Sequence, residues 1–257
     1  MIVCRSAAEL ERLREAGRLV GEVLAELAAA VAPGVSTADL DALAEKRIEK
    51  AGATPAFKGY HGYPATICTS INEEVIHGIP SGRRVLRDGD IVSIDVGASL
   101  DGYYGDHAVT LPVGKISEDA ARLLRVTEEA LYKAIEKARS GNRVSDIGHA
   151  VQEHVEAHGF SVVREFVGHG IGQRMHEEPQ VPNYGEPGRG PRLTEGMVLA
   201  IEPMVNAGRP AVKVLGDGWT AVTRDSSLSA HFEHTVAVTA GEPWILTARE
   251  VPVRATR

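Results

Sequence analysis

Leu10, Leu13, Gly17, Val20, Leu24, Leu27 and Val31 recur at spacings of three and four, which predicts an amphipathic helix. Ser6 and Glu9 have the spacing of a capping box at its start, and Pro33-Gly34 ends it. Ser36 caps a second helix over residues 37–51, which stops at Gly52. Two more helices are expected at 118–139 and 144–158. Strands punctuated by Gly and Pro are expected at 65–70, 91–98, 103–111, 162–167, 197–206 and 232–239. A helix pair followed by strands, twice over, predicts an α+β fold in which helices cover one face of a curved antiparallel sheet.

The two passes share one offset. Gly34/Gly141, Asp39/Asp146, Gly52/Gly159, Gly89/Gly196 and Asp95/Glu202 are each separated by 107 residues. A period this long implies two pseudo-symmetric halves, about 15–110 and 122–240, rather than a solenoid. No low-complexity linker divides them, so residues 1–257 read as a single domain. If the halves pack about a pseudo-two-fold axis, Asp95 and Glu202 face each other across it.

Two acids converging from apolar strands need a reason. Asp95 is bracketed by Ile94 and Val96, and the turn Leu100-Asp101-Gly102 folds Asp106 back roughly opposite it; Asp101 itself reads as a solvated turn residue. Glu202 ends the run Val198-Leu199-Ala200-Ile201, and alternation sends Glu233 and Thr235 to one strand face. His169 lies between glycines in Gly168-His169-Gly170. Four carboxylates brought together would be prohibitively costly without cations, and two divalent ions neutralise them. Oxygen donors with one imidazole suit manganese, iron(II), cobalt or zinc, as in a two-metal hydrolytic centre.

The other histidines are less telling. His77 and His176 sit in dense turn contexts, where a hydrogen-bonded structural histidine is the commoner outcome. His149, His154 and His158 read as a solvated helix face, because no glutamate follows His154 as a zincin requires. The Gly168–Gly172 stretch lacks dinucleotide spacing, and there is no phosphate loop or G-x-S-x-G elbow.

Composition narrows the setting. A hydrophobic content of 43% and a charged content of 25% are those of a globular protein, and a net charge of −7 argues against a general DNA binder. Cys4 and Cys68 cannot make a disulfide framework, no signal peptide opens the chain, and no uncharged run could cross a bilayer. A cytoplasmic location is expected.

Several stretches together resemble the type I methionine aminopeptidases. They are Tyr60-His61-Gly62-Tyr63-Pro64, Ser70-Ile71-Asn72-Glu73 through His77-Gly78-Ile79-Pro80, Asp90-Ile91-Val92 through Asp95, and Gly105-Asp106. The likeness continues in Gly168-His169-Gly170-Ile171-Gly172 through His176-Glu177-Glu178-Pro179, Glu202-Pro203-Met204-Val205-Asn206, Asp217-Gly218-Trp219-Thr220 and Phe232-Glu233-His234-Thr235. The resemblance implies the pita-bread fold of two pseudo-symmetric halves. It places five metal ligands on Asp95, Asp106, His169, Glu202 and Glu233, the set already selected by charge. It assigns His77 and His176 to substrate contact, and lines a methionine pocket with Tyr60, Tyr63, Cys68, Met175 and Trp219. His107 and Met175 depart from the commonest pattern, since a small or hydroxyl residue usually follows the second aspartate and an aromatic is frequent at position 175.

The activity so implied is removal of the initiator methionine from nascent polypeptides, with a small second residue preferred. Glu202 would take a proton from a water activated by two metals, His176 would stabilise the oxyanion, and His77 would hold the scissile amide nitrogen or the following carbonyl. A monomer is expected; Arg83, Arg84 and Arg87 offer either a contact to the ribosome or, as such runs more commonly do, a solvated loop. The rival X-Pro peptidases of this fold usually carry a large N-terminal domain, for which there is no room before Gly34. A catalytically dead relative would typically have lost ligands that are present here.

Overall fold

The computed structural model describes residues 1–248. Four helices stand where the apolar spacing puts them: α1 (Ala7–Ala30), α2 (Thr37–Lys50), α3 (Glu118–Ile135) and α4 (Val144–Ala157). Ser6 and Ser36 each accept from a backbone N–H three residues on, and Glu9 and Asp39 close both capping boxes. Helix α3 ends four residues short of the expected 139, in turns closed by Lys137 N–H to Ala134 and Ala138 N–H to Ile135.

Among the described residues the main sheet has nine strands. Its path runs Thr54–Pro55, Ile91–Leu100, Tyr103–Pro112, Glu233–Ala237, Val198–Ile201, Gly168–Gly170 and Glu177–Val181, with Ile67–Ile71 and Trp244–Ile245 paired off the path. The pairings are antiparallel, and the halves meet where Tyr103–Pro112 lies beside Glu233–Ala237. Alternation sorts the side chains by face. Val92, Ile94 and Val96 point into a core with Val20, Val23, Leu24 and Leu27 of α1 and with Leu40, Ala44 and Ile48 of α2, while Ser93 and Asp95 take the other face. A matching core under α3 and α4 joins Leu123, Val126, Ala130 and Ile147 to Leu199, Ile201 and Val236. Each fully buried large aliphatic side chain contributes roughly 1.5–3 kcal/mol, so both helix pairs are fastened to the same face of the sheet.

Close approach explains two glycines. A Cβ on Gly105 would lie 2.9 Å from the Ala16 backbone, and one on Gly17 would lie 2.6 Å from the Leu246 carbonyl oxygen. Helix α1 therefore rests directly on the strand that carries Asp106.

The offset of 107 persists in the backbone. Ser36 bridges to Val85 and Arg143 to Arg192, and Gly34 and Gly141 both have φ near 95°. Two expected strands are cut. The 162–167 segment is a strand only at Ser161–Val162, and 197–206 breaks into Val198–Ile201 and Met204–Asn206 around Glu202-Pro203, since proline has no N–H for the ladder. Short strands at Glu74–Ile76, Gly168–Gly170, Glu177–Val181, Val212–Val214, Ala221–Thr223 and Ser229–His231 were not expected, being too brief to show alternation.

Candidate active site

The four acids and one imidazole of the sequence reading meet on the sheet face opposite the helices. Asp95 stands mid-strand, paired in register with Cys68 on one side and Ala108 on the other. Asp106 pairs with Gly97, so the two aspartates are diagonal neighbours on one face rather than directly opposite. Glu233 opens its strand at the register of Ala108, His169 pairs with Ala200, and Glu202 follows Ile201. Donor atoms of Asp106, His169 and Glu233 lie within 4.8 Å of one another. His169 Nε2 is 3.8 Å from Asp106 and 3.6 Å from Glu202.

Neighbouring groups hold these donors in place. Thr235 Oγ1 accepts from the Asp106 N–H at 3.1 Å and donates to its carbonyl at 2.8 Å. His169 Nδ1 donates to the Gly170 carbonyl at 2.9 Å, which leaves the Nε2 lone pair facing the acids. His107 projects to the helix side, where it donates to the Glu233 carbonyl and stacks on His234 at 4.3 Å; the departure at this position thus leaves the cavity untouched.

Burial raises the carboxyls and lowers the imidazoles. Asp95 is pushed up to about 7 and Glu202 to about 8, chiefly by burial, while burial and the neighbouring acids push Asp106 and Glu233 well above the carboxylate range. Asp95 and Glu202 are not fully covered, but both line the cavity rather than the outer surface, so desolvation still governs them. His169 falls to about 3 by burial, so its contacts with the acids are those of a neutral ring. Asp95 Oδ1, Asp106 Oδ1 and Glu233 Oε1 are buried without a hydrogen-bond partner. Orphaned acceptors beside a lone-pair nitrogen are what divalent cations satisfy, so the residues fit such ions.

A cavity of about 300 Å³ rises from this floor, and all twelve residues singled out by the sequence line it. Tyr63, Cys68 and Met175 form its buried apolar wall with Phe57. Tyr63 OH lies 3.0 Å from the carbonyls of Ile67 and Gly78, and its ring meets Trp219 edge-on at 5.1 Å. Asp217 accepts from the Trp219 and Thr220 N–H groups at 2.9 Å, which fixes the turn that presents the indole. His77 follows the Glu74–Ile76 strand with φ of 60° and is lowered to about 4 by burial. His176 stands at the exposed mouth, with Nδ1 2.7 Å from Tyr60 OH and its ring 4.2 Å from that of His169. Its loop is organised by Glu177, which accepts from Gln173 N at 3.0 Å, Arg174 N at 3.1 Å and the buried Arg5 guanidinium at 2.7 Å.

Sequence reasoning missed Phe57, Ile76, Phe166 and Val167 in the wall, and His231 below it. His231 Nε2 has no hydrogen-bond partner and lies 3.6 Å from Glu202 Oε2. Its signal was present, since it stands two residues before Glu233. His154 also departs from expectation: its side chain is only 11% exposed and sits 3.0 Å from Glu129.

The model of metallopeptidase family M24 matches residues 11–240. A methionine aminopeptidase of Clostridium acetobutylicum is 59% identical over 250 residues, spanning 97% of this chain and all of that one. Methionine aminopeptidase 1 of Bacillus subtilis is 59% identical over 239 residues, 93% of this chain and 96% of that one. The crystal structure of methionine aminopeptidase from Thermotoga maritima superposes with a TM-score of 0.95 at 48% identity, covering 97% of this chain and 100% of that one. The α+β architecture is thus the pita-bread fold, and the chain is a hydrolase that belongs to metallopeptidase family M24 and, within it, to the methionine aminopeptidases.

Proposed function

We propose that this enzyme removes the initiator methionine from nascent polypeptides, using two divalent ions and preferring a small second residue. The observation that carries this reading is the union, in one cavity, of an acidic floor, an apolar inner wall and a mouth bearing two histidines. Asp95, Asp106, His169, Glu202 and Glu233 would hold the ions, with manganese, iron(II), cobalt and zinc all suited to the donor set. Such ions supply Lewis-acid charge and bring water into its nucleophilic range near neutral pH.

The chain's own groups do the rest. Glu202 takes a proton from the attacking water and returns it to the leaving amine. When Tyr60 donates to His176 Nδ1, the imidazole proton sits on Nε2, ready for the oxygen that gains charge. His77 holds the scissile amide nitrogen or the following carbonyl. Tyr63 or Trp219 receives the methionine thioether, a contact worth roughly 0.3–1.5 kcal/mol. Because Phe57, Tyr63, Cys68 and Met175 are buried behind the pocket, a terminal side chain fits where a continuing chain would not. His77, His176 and Tyr60 crowd the position of the second residue.

The same proposal places the activity in one catalytic domain over residues 1–257, acting as a cytoplasmic monomer. No helix among the described residues is long and apolar enough to cross a membrane. Arg84 pairs with Glu74 at 2.7 Å, which leaves the exposed Arg83 and Arg87 for a ribosomal contact. The test is to chelate the protein, restore metals one ion type at a time, and assay Met-Gly, Met-Lys and Gly-Pro peptides. Metal-dependent cleavage of Met-Gly alone is expected; cleavage of Gly-Pro, or full activity without metal, overturns the reading.

A further inference from the structure

A second cluster of metal-type donors lies on the outer side of the α3–α4 pair. Glu129 projects from α3, and His154 in the last turn of α4 stands four residues before His158, the residue that caps the end of that helix, a spacing that brings their side chains to one face. One donor atom from each lies within 4.8 Å of the others. The two rings are 4.5 Å apart, and His154 Nε2 is 3.0 Å from Glu129 Oε2. None of the three lines the catalytic cavity.

We propose that Glu129, His154 and His158 form a separate site for a borderline divalent ion of the zinc class, fastening α3 to α4. The ring orientations favour it. His158 Nδ1 donates to the His154 carbonyl at 2.8 Å, so its Nε2 carries the lone pair, as in a ligating histidine whose other nitrogen is held by a carbonyl. Two imidazoles and one carboxylate are a zinc-type donor set, with bonds near 2.0–2.2 Å and a fourth position left to water. Donors on such an ion lie roughly 3.3–3.5 Å apart, so closure needs shifts of about 1 Å. The Glu129 side chain, 45% exposed, has room to make them.

The neighbouring cations set the strength of the site. Arg125 lies 3.8 Å from Glu129, and Lys133 faces His154 from the same helix. Both repel an incoming ion, and burial together with Lys133 keeps the His154 imidazole neutral and able to ligate, so this site fills after the five-residue catalytic floor.

The experiment is a zinc titration of the chelated full chain, followed by calorimetry and thermal melting. Wild type is compared with Glu129→Gln, with a His154→Gln/His158→Gln double variant, and with Asp106→Asn. Wild type should bind one ion more than the double variant and gain several degrees in Tm as that last ion binds. The double variant should lose both while keeping its kcat/KM on a Met-Gly peptide. Asp106→Asn should keep the last ion, which separates this site from the catalytic one. If the double variant does not fold, Glu129→Gln decides, with at least a tenfold weaker last site expected. Equal ion counts and equal zinc-induced Tm rises in wild type and the surface variants would overturn the proposal.

Discussion

The floor of the catalytic cavity is made by strands and its mouth by turns. On the floor, Asp95, Asp106 and Glu233 are fixed by sheet register, and every neighbour from Thr235 to His107 ties one strand to the next. At the mouth, His77, His176 and Trp219 stand on turns held by a few side chains: the Tyr63 hydroxyl near Gly78, the Glu177 carboxylate together with Tyr60 on His176, and the Asp217 carboxylate. Strand positions share their geometry with a whole sheet, whereas a turn can be reshaped by one substitution. On the proposed function, the invariant chemistry belongs to the floor and selection among substrates to the mouth.

The largest effect should come from breaking the floor. Asp106 touches both Asp95 and Glu233, so Asp106→Asn leaves the whole cluster mismatched. Activity should fall well beyond the roughly 10²–10³-fold that one oxyanion donor supplies, and metal content should drop below that of wild type. Glu233→Gln should behave alike. Elemental analysis showing full occupancy together with normal turnover would remove the floor from the mechanism.

At the mouth, His176→Ala should lower kcat by about 10²–10³-fold with little loss of metal, because its contact strengthens only as charge develops. A change in KM alone would make His176 a ground-state binding group instead.

The same contrast explains what the sequence made legible. Charge reasoning found the floor because acids inside apolar alternating runs have no cheap solvated alternative: Asp95 between Ile94 and Val96, Glu202 after Ile201. His77 and His176 gave no such signal, since a histidine in a turn satisfies itself easily, and only the resemblance marked them. Phe57, Phe166 and Ile76 were invisible for a further reason. Apolar residues next to a turn read as ordinary core, and nothing local tells which of them faces a cavity. The fold itself was legible wherever periods ran long enough to count, as in all four helices and the 91–98 and 103–111 strands. It failed at strands of three to five residues such as Glu74–Ile76 and Glu177–Val181, where tertiary pairing decides the conformation.

A finer effect at the mouth concerns the residue after methionine. If the proposed pose holds, His77, His176 and Tyr60 flank that residue, and a side chain that shifts the scissile bond by about 1 Å could cost on the order of 10²-fold in rate. The Met175 thioether is buried in the wall rather than at the rim, so its flexibility should relax the methionine pocket more than this filter. Comparing kcat/KM on peptides that differ only at the second residue checks this: Met-Gly should exceed Met-Leu by that factor, and equal values would show that the turns impose no selection.

The smallest effect separates floor from mouth by pH alone. In the chelated protein Asp95 and Glu202 titrate near 7 and 8, whereas in the unfolded chain both ionise near 4. Between those values the folded state holds more protons than the unfolded one, so stability falls as pH rises, until the folded values are passed. The buried histidines act with the opposite sign. His77, lowered to about 4, and His169, lowered to about 3, cost stability as pH falls below about 6.5, and above that both states are neutral. The two contributions oppose each other in weak acid, which leaves pH 7 to 8.5 as the window in which the floor acts alone. One retained proton there corresponds to about 1.4 kcal/mol per pH unit, a loss of a few degrees in Tm. Metal loading ionises the same carboxyls in the folded state and should flatten the slope. Melting curves of chelated and loaded protein across this window provide the measurement, and a chelated protein whose Tm holds steady or rises from pH 7 to 8.5 would mean that the floor acids are already charged without their ions.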